Sequence, residues 1–170
     1  MSDHLVVDGY NIIHAWPELE KLAESSLEHA RTRLVDILVN YAALSGERVV
    51  VVFDAHQVKN AVERAEMVQG VQVIFTAEGE TADSVIERLV GELARQGTVH
   101  VVTYDWAEQQ TILGRGAYRL TPRELWQRVI RFEQEGRKHY QNSRPADSYL
   151  ENRLVEEIRA IFERWRRKKD

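Results

Sequence analysis

Six residues carry the oxygen and amide chemistry that stands out in this chain: Asp8, Asn11, Asp54, Glu80, Asp83 and Asp105. Asp8 ends the apolar run Leu5-Val6-Val7, and Asn11 follows three residues later. Asp54 ends Val49-Val50-Val51-Val52-Phe53, and Asp105 follows Val99-His100-Val101-Val102 and Thr103-Tyr104. Such apolar runs read as strands buried on both faces. In open α/β sheets, ligands bind outside the carboxyl ends of the strands. Glu80 and Asp83 fall at the start of the helix expected after Val71–Phe75, where a spacing of three puts them on one side of a turn. Each has a structural alternative when taken singly. Glu80 and Asp83 suit a helix dipole, Asp54 suits a turn, and Asp105 suits a cap for a helix at Trp106. Taken together they are costly, because gathered carboxylates raise one another's pKa. A divalent cation removes that cost, and an all-oxygen ligand set favours Mg²⁺ or Mn²⁺. Such an ion points to phosphoryl or phosphodiester chemistry with activated water and no covalent nucleophile. Asn11 fits as a neutral group that orients Asp8, a water or a phosphate oxygen.

The elements that must position these residues alternate between strand and helix. Strands are expected at Leu5–Val7, Val49–Phe53, Val71–Phe75 and Val99–Val102, with a short edge strand at Tyr118–Leu120. After Asn11, the segment Ile12–Trp16 reads as a turn and a short helix. Ser25 or Ser26 is the expected cap of a long amphipathic helix carrying Leu27, Ala30, Leu34, Ile37, Leu38 and Tyr41 on its buried face. Ala55–Gly70 is polar and mixed in sign, and reads as a frayed helix or a loop. Ala82, Val85, Ile86, Leu89, Val90 and Leu93 form the buried stripe of the next long helix, and a short helix is expected over Trp106–Leu113. Thr121-Pro122-Arg123-Glu124 has the form of a capping box with proline at the first helical position. That helix is expected to run to about Lys138, with a break over Gln141–Pro145. A last helix from Asp147 carries Leu150, Leu154, Ile158, Ile161 and Trp165 on one face. Strands alternating with helices imply a mostly parallel sheet.

Composition narrows the chemistry further. The 170 residues suit one domain. The absence of cysteine excludes disulfides, thiolate metal sites and a cysteine nucleophile. The sequence shows no dinucleotide fingerprint, no phosphate-binding Walker loop and no nucleophile elbow, so no small-molecule cofactor is expected. His4, His14, His29, His56, His100 and His139 lack metal-ligand spacing and read as packing or surface residues, with His56 nearest an acidic motif. Met1–His4 does not open a signal peptide, and no apolar stretch approaches the roughly 20 residues of a membrane span. A cytoplasmic protein with no membrane partner is expected. The net charge of −4 is uneven: Met1–Leu113 holds 8 basic and 18 acidic residues, and Gly114–Asp170 holds 15 basic and 9 acidic. A basic final third on an acidic protein suits a polyanion such as RNA.

Asp8-Gly9-Tyr10-Asn11, Phe53-Asp54-Ala55-His56, Glu80-Thr81-Ala82-Asp83 and Val102-Thr103-Tyr104-Asp105 stand in one order. In that order they resemble the YacP-type branch of the NYN family, which belongs to the PIN-like nucleases. The likeness runs from Leu5 to about Leu125, through Gly116-Ala117-Tyr118-Arg119 and Arg123-Glu124-Leu125. It implies a PIN-like three-layer α/β fold with about five strands in the order 3-2-1-4-5. The nuclease domain would span residues 1–140, with a helical C-terminal extension over 141–170 packed on it. It also implies a metal-dependent endoribonuclease leaving 5′-phosphate and 3′-hydroxyl ends. Asp8, Asp83 and Asp105 would bind the metal, and Asn11, Asp54 and Glu80 would support them. The resemblance further implies mRNA as substrate and the ribosome as partner. Tyr104 stands where relatives often carry a small residue, and Trp106 follows Asp105, so this bulky pair either stacks on a base or packs within the protein.

An acidic site needs help to hold RNA. Arg115, Arg119 and Arg123 are the expected RNA-binding residues, with Gly114 and Gly116 letting backbone approach phosphate at Arg115. Arg128, Arg131, Arg137, Lys138 and Arg164–Lys169 would extend that surface. Two other readings fit the same scaffold. One is a non-catalytic RNA- or ribosome-binding module, and the other is a phosphatase for small nucleotides.

Overall fold

The computed structural model describes residues 2–55, 59–104, 114–143 and 148–167. The elements in chain order are β1 (His4–Asp8), α1 (Gly9–Ala15), α2 (Pro17–Ser25), α3 (Leu27–Ser45), β2 (Arg48–Phe53), β3 (Arg64–Val68), β4 (Val71–Phe75), α4 (Ala82–Leu93), β5 (Val99–Val102), β6 (Tyr118–Leu120), α5 (Pro122–Ser143) and α6 (Ser148–Arg167). They form a sheet in the order β3-β4-β2-β1-β5-β6. All neighbours are parallel except β3 and β4. The five strands expected from sequence keep the order 3-2-1-4-5, and β3 adds a sixth at the edge. The expected helix over Trp106–Leu113 lies outside the described residues.

Strand β3 escapes a sequence reading, which takes Ala55–Gly70 for a frayed helix or a loop, because its residues, Arg64-Ala65-Glu66-Met67-Val68, are almost wholly exposed and include a single β-branched side chain. The turn behind it is the better signal. Gln69 and Gly70 both have positive φ, 45° and 93°, as a two-residue hairpin turn of the primed kind requires.

The sheet divides two cores. Leu5, Val7, Val51, Phe53, Val73 and Val102 face one side, where α1, α2, α3, α5 and α6 pack. Val6, Val50, Val52, Ile74, Val99 and Val101 face the other, covered by α4. This is the three-layer arrangement that continuous apolar strands require. The stripe of α3 is buried as expected except for Leu27, which lies exposed in the first turn. In the described part of α6, Ile158, Ile161 and Trp165 join the larger core.

Local signals set the helix starts. Ser26 Oγ accepts from the His29 N–H at 3.2 Å, so it is Ser26 and not Ser25 that caps α3. Thr121 and Glu124 form the reciprocal capping box, with bonds of 3.1 and 3.2 Å. Helix α5 runs to Ser143, five residues beyond the expected end.

Two tryptophans tie the helical layer to the segment leaving β1. Trp16 donates its indole N–H to the Pro122 carbonyl at 3.0 Å and meets Trp126 edge-on at 4.6 Å. Trp165 donates to the Ala15 carbonyl at 3.1 Å. Trp16→Phe is expected to keep most of the ring packing but leave the buried Pro122 carbonyl without this donor. The expected cost is about 1–3 kcal/mol, read as a lower urea midpoint at unchanged m; an unchanged midpoint would show that the bond adds nothing to stability.

Candidate active site

Strand β1 lies between β2 and β5, which run on opposite sides of it. The chain therefore diverges at the carboxyl end of β1, and such a switch point opens a crevice. Period-two alternation decides what faces it. Val7 and Phe53 point into the larger core, so the next residues, Asp8 and Asp54, turn to the other face, where α4 begins.

Asp8 is 5% exposed and caps α1. Its carboxylate accepts from the Asn11 backbone N–H at 3.4 Å and from Asn11 Nδ2 at 2.8 Å. Asn11 Oδ1 in turn accepts from the Tyr104 backbone N–H at 2.9 Å. The side-chain amide thus spans the crevice from the end of β1 to the segment after β5, and its orientation is fixed by an acceptor at one end and a donor at the other. Gly9 has its own structural reason, since a Cβ there would overlap the Phe53 ring. Only the bare backbone lets α1 start immediately after Asp8.

Asp54 Oδ2 accepts from the Ala82 N–H at 3.1 Å. This bond ties the end of β2 to the first residue of α4, whose cap is Thr81. It also places Asp83, in the first turn of α4, beside Asp8. Burial pushes the Asp8 carboxyl up to about 6; the charges of Asp83 and Asp54 push the same way, and the two Asn11 bonds pull against them.

Glu80 is placed differently from expectation. It precedes the cap of α4 instead of sharing a helical turn with Asp83. Its Oε1 accepts from the Ala77 N–H at 3.3 Å, and its Oε2 lies 3.5 Å from Arg88, which also holds Glu63 at 2.8 Å. Glu80 therefore braces the loop before α4. Asp105 lies outside the described residues, as do Trp106 and His56. Among the described residues no three His, Asp or Glu side chains form a group able to hold a metal.

The donor set nevertheless suits a hard divalent cation. Mg²⁺ is commonly held by one or two carboxylates, with water and substrate phosphate completing its shell. Asp8 and Asp83 supply two carboxylates whose mutual repulsion such an ion relieves.

The three expected RNA-binding arginines do not form one patch. Arg115 pairs with Glu87 of α4 at 2.6 Å and lies 3.7 Å from the position of a Cβ on Gly91, two helical turns beyond Asp83. Arg119 alternates with core-facing Leu120 and so points to the α4 side. Arg123 lies over the Trp165 ring on the opposite face. Several further cations are engaged with the protein itself. Arg128 pairs with Glu47, Arg164 with Glu18 and Arg167 with Glu163. Arg131 and Arg166 lie over Phe132 and Phe162. Sequence reasoning misses a different feature at the same edge, where Arg31 donates to the Tyr10 hydroxyl at 3.2 Å.

The model of the YacP-like NYN domain matches residues 5–167. The chain belongs to the YacP-like NYN family. It is 43% identical to the uncharacterized protein YacP of Bacillus subtilis over 169 residues, covering 97% of both chains. This YacP-like chain also resembles two solved structures. One is the crystal structure of Rae1 (YacP) from Bacillus subtilis, with 39% identity, a TM-score of 0.71 and coverage of 97% of this chain and 95% of that one. The other is a tryptophan-to-leucine mutant of that same protein, with 38% identity, a TM-score of 0.70 and coverage of 94% and 99%. The NYN domain is a PIN-like nuclease domain, a class that generally uses divalent metals, and membership supports a nuclease or RNA-related role.

The raised Asp8 carboxyl makes the metal-free protein pH-sensitive. Its folded pKa, about 6, exceeds the ordinary 3.8. Ionised Asp8 therefore costs stability, by roughly 3 kcal/mol once pH has risen through both values. In chelator, Asp8→Asn is expected to melt several degrees above wild type at pH 8, and to lose that advantage near pH 4. Parallel Tm–pH curves for the two proteins would show that burial imposes no such cost.

Proposed function

We propose that this chain is a divalent-metal-dependent endoribonuclease that hydrolyses RNA phosphodiester bonds, with ribosome-bound mRNA as its substrate. The observation that carries the reading is the convergence of Asp8, Asp54 and Asp83 at the switch point, with Asp8 buried and raised to about 6. Membership of a nuclease family supports it.

Asp8, Asp83 and Asp105 would hold the ion, Mg²⁺ or Mn²⁺. When bound, the ion activates water and neutralises charge on the phosphate. Asn11 donates from Nδ2 to Asp8 Oδ2 and, accepting from the Tyr104 N–H through Oδ1, keeps Asp8 aligned with the segment after β5. Asp54 holds the start of α4 and so sets where Asp83 stands. Glu80 keeps the preceding loop in place through Ala77 and Arg88. Burial of Asp8 limits competing water around its carboxylate. Arg115, Arg119 and Arg123 would contact RNA outside the site, Arg115 after release from Glu87. Residues 1–140 would form the nuclease domain, with 141–170 an extension resting on it through Ile158, Ile161 and Trp165. The likeness of the four motifs to the YacP branch supports a ribosomal and cytoplasmic setting. No helix among the described residues is long and apolar enough to cross a membrane.

The test is to incubate wild type and Asp8→Asn with a translated mRNA in Mn²⁺, with and without ribosomes, and to map new 5′-phosphate ends. New internal ends are expected with wild type and ribosomes, and a loss of at least about a hundredfold is expected in Asp8→Asn. Equal cleavage by the variant would remove Asp8 from the chemistry. Ribosome binding by both proteins without cleavage would replace this reading with the non-catalytic binding module.

A further inference from the structure

A cavity of about 320 Å³ lies between the first turns of α3 and the β3–β4 hairpin. Arg31, Val35, Phe53, Arg64, Val68 and Phe75 are among the residues lining it. It opens on the α3 face of the sheet, opposite the face to which Asp8 turns, but at the same edge, because α3 leads back down to the start of β2 and its first turns therefore stand at the carboxyl ends of the strands. Arg64 and Phe75 are register partners at that end of the hairpin.

We propose that this cavity is a subsite for one nucleotide of single-stranded RNA next to the bond that is cut. The proposal rests on the ribonuclease reading above and names where its substrate lies. Three observations carry it. First, the cavity holds a stacked series. Phe53 and Phe75 lie 5.5 Å apart and 28° from parallel, and the Arg64 guanidinium covers Phe75 at 4.5 Å. Phe53 is wholly buried and Phe75 backs the exposed Arg64, so the face offered to a base is the guanidinium plane, on which bases stack as they do on aromatic rings. Second, among the described residues neither Arg31 nor Arg64 is paired with a carboxylate, unlike Arg88 and Arg115 on the α4 face. Both remain available for phosphate.

Third, the cavity is wired to the site. Arg31 bonds the Tyr10 hydroxyl, and the Tyr10 ring meets Phe53 at 5.4 Å. Tyr10 is two residues from Asp8. A strand of RNA with its scissile phosphate at Asp8 would thus pass Tyr10 and then meet Arg64 over Phe75, the exposed end of a stack whose inner ring, Phe53, is wholly buried. The cavity also carries Glu28, Asp36 and Glu66. These carboxylates disfavour a run of phosphates but accept from base amino groups, so the occupant is a base with its phosphate at the arginine rim.

The probe is a fluorescein-labelled, unstructured 12-nucleotide RNA of mixed sequence, titrated with the full chain in chelator so that nothing is cut. Ribosome-dependent cleavage is measured in parallel. Arg64→Gln is expected to weaken binding about fivefold and to flatten the dependence of log Kd on log salt by about 0.7. Phe75→Leu is expected to weaken it about tenfold with the salt slope unchanged, as loss of stacking predicts. Both variants should raise KM for cleavage more than they lower kcat, with Tm within a few degrees of wild type. If both bind and cleave like wild type, the cavity is not an RNA subsite, while the nuclease reading stands. If Asp8→Asn cleaves like wild type, or no protein binds or cuts RNA in either assay, the ribonuclease reading fails and the subsite fails with it.

Discussion

The cost of placing an ionised carboxylate at the end of the central strand governs this fold. Asp8 sits with Leu5, Val6 and Val7 behind it, all wholly buried, and with parallel strands on both sides. Water cannot solvate it freely, and Asp54 and Asp83 add like charge. The protein offsets this with two bonds from Asn11 and with the start of α1. Those bonds do not cancel the penalty, since the carboxyl remains raised. Among the described residues, the interactions that set its pKa include no cationic side chain.

Much of the surrounding architecture maintains this arrangement. Gly9 lets α1 begin against Phe53, which brings Asn11 back over Asp8. Asp54 is engaged by the Ala82 N–H, so its role is to anchor α4. Thr76, fully buried, accepts from the Ala55 N–H at 2.7 Å and holds the chain directly after Asp54. On the far side, Trp16, Trp126 and Trp165 clamp the helical layer to the segment leaving β1. The site is therefore carried by strand ends and helix starts, whose backbone positions are stiffer than those of loops.

What the sequence makes legible follows the range of the forces involved. Strands β1, β2, β4 and β5 declare themselves because they are buried on both faces, and the Thr121–Glu124 box declares itself because capping is local. The edge strand β3 does not, because an exposed antiparallel edge needs neither a long apolar run nor β-branched residues. The convergence of Asp8, Asp54 and Asp83 is legible from their common position at strand and helix ends. The separation of Glu80 from Asp83 is not, because it depends on Thr81 capping α4 and on Arg88 reaching back. Nor can charge alone show that Arg115 is paired with Glu87 while, among the described residues, Arg31 and Arg64 pair with no carboxylate, since such pairing depends on tertiary placement. The basic final third suggests an RNA surface, yet many of its described arginines are turned onto carboxylates and aromatic rings of the protein itself.

The central proposal is that Asp8, raised by burial and by neighbouring carboxylates, is a carboxylate that a divalent cation would bind. The most direct measurement is a ¹³C titration of the aspartate carboxyl carbons in the full chain, with Asp8 assigned by its loss in Asp8→Asn. The account predicts a midpoint near 6 in chelator that falls by about one unit or more when Mg²⁺ is saturating. A midpoint at the ordinary aspartate value in chelator, or one that Mg²⁺ leaves unmoved, would contradict it.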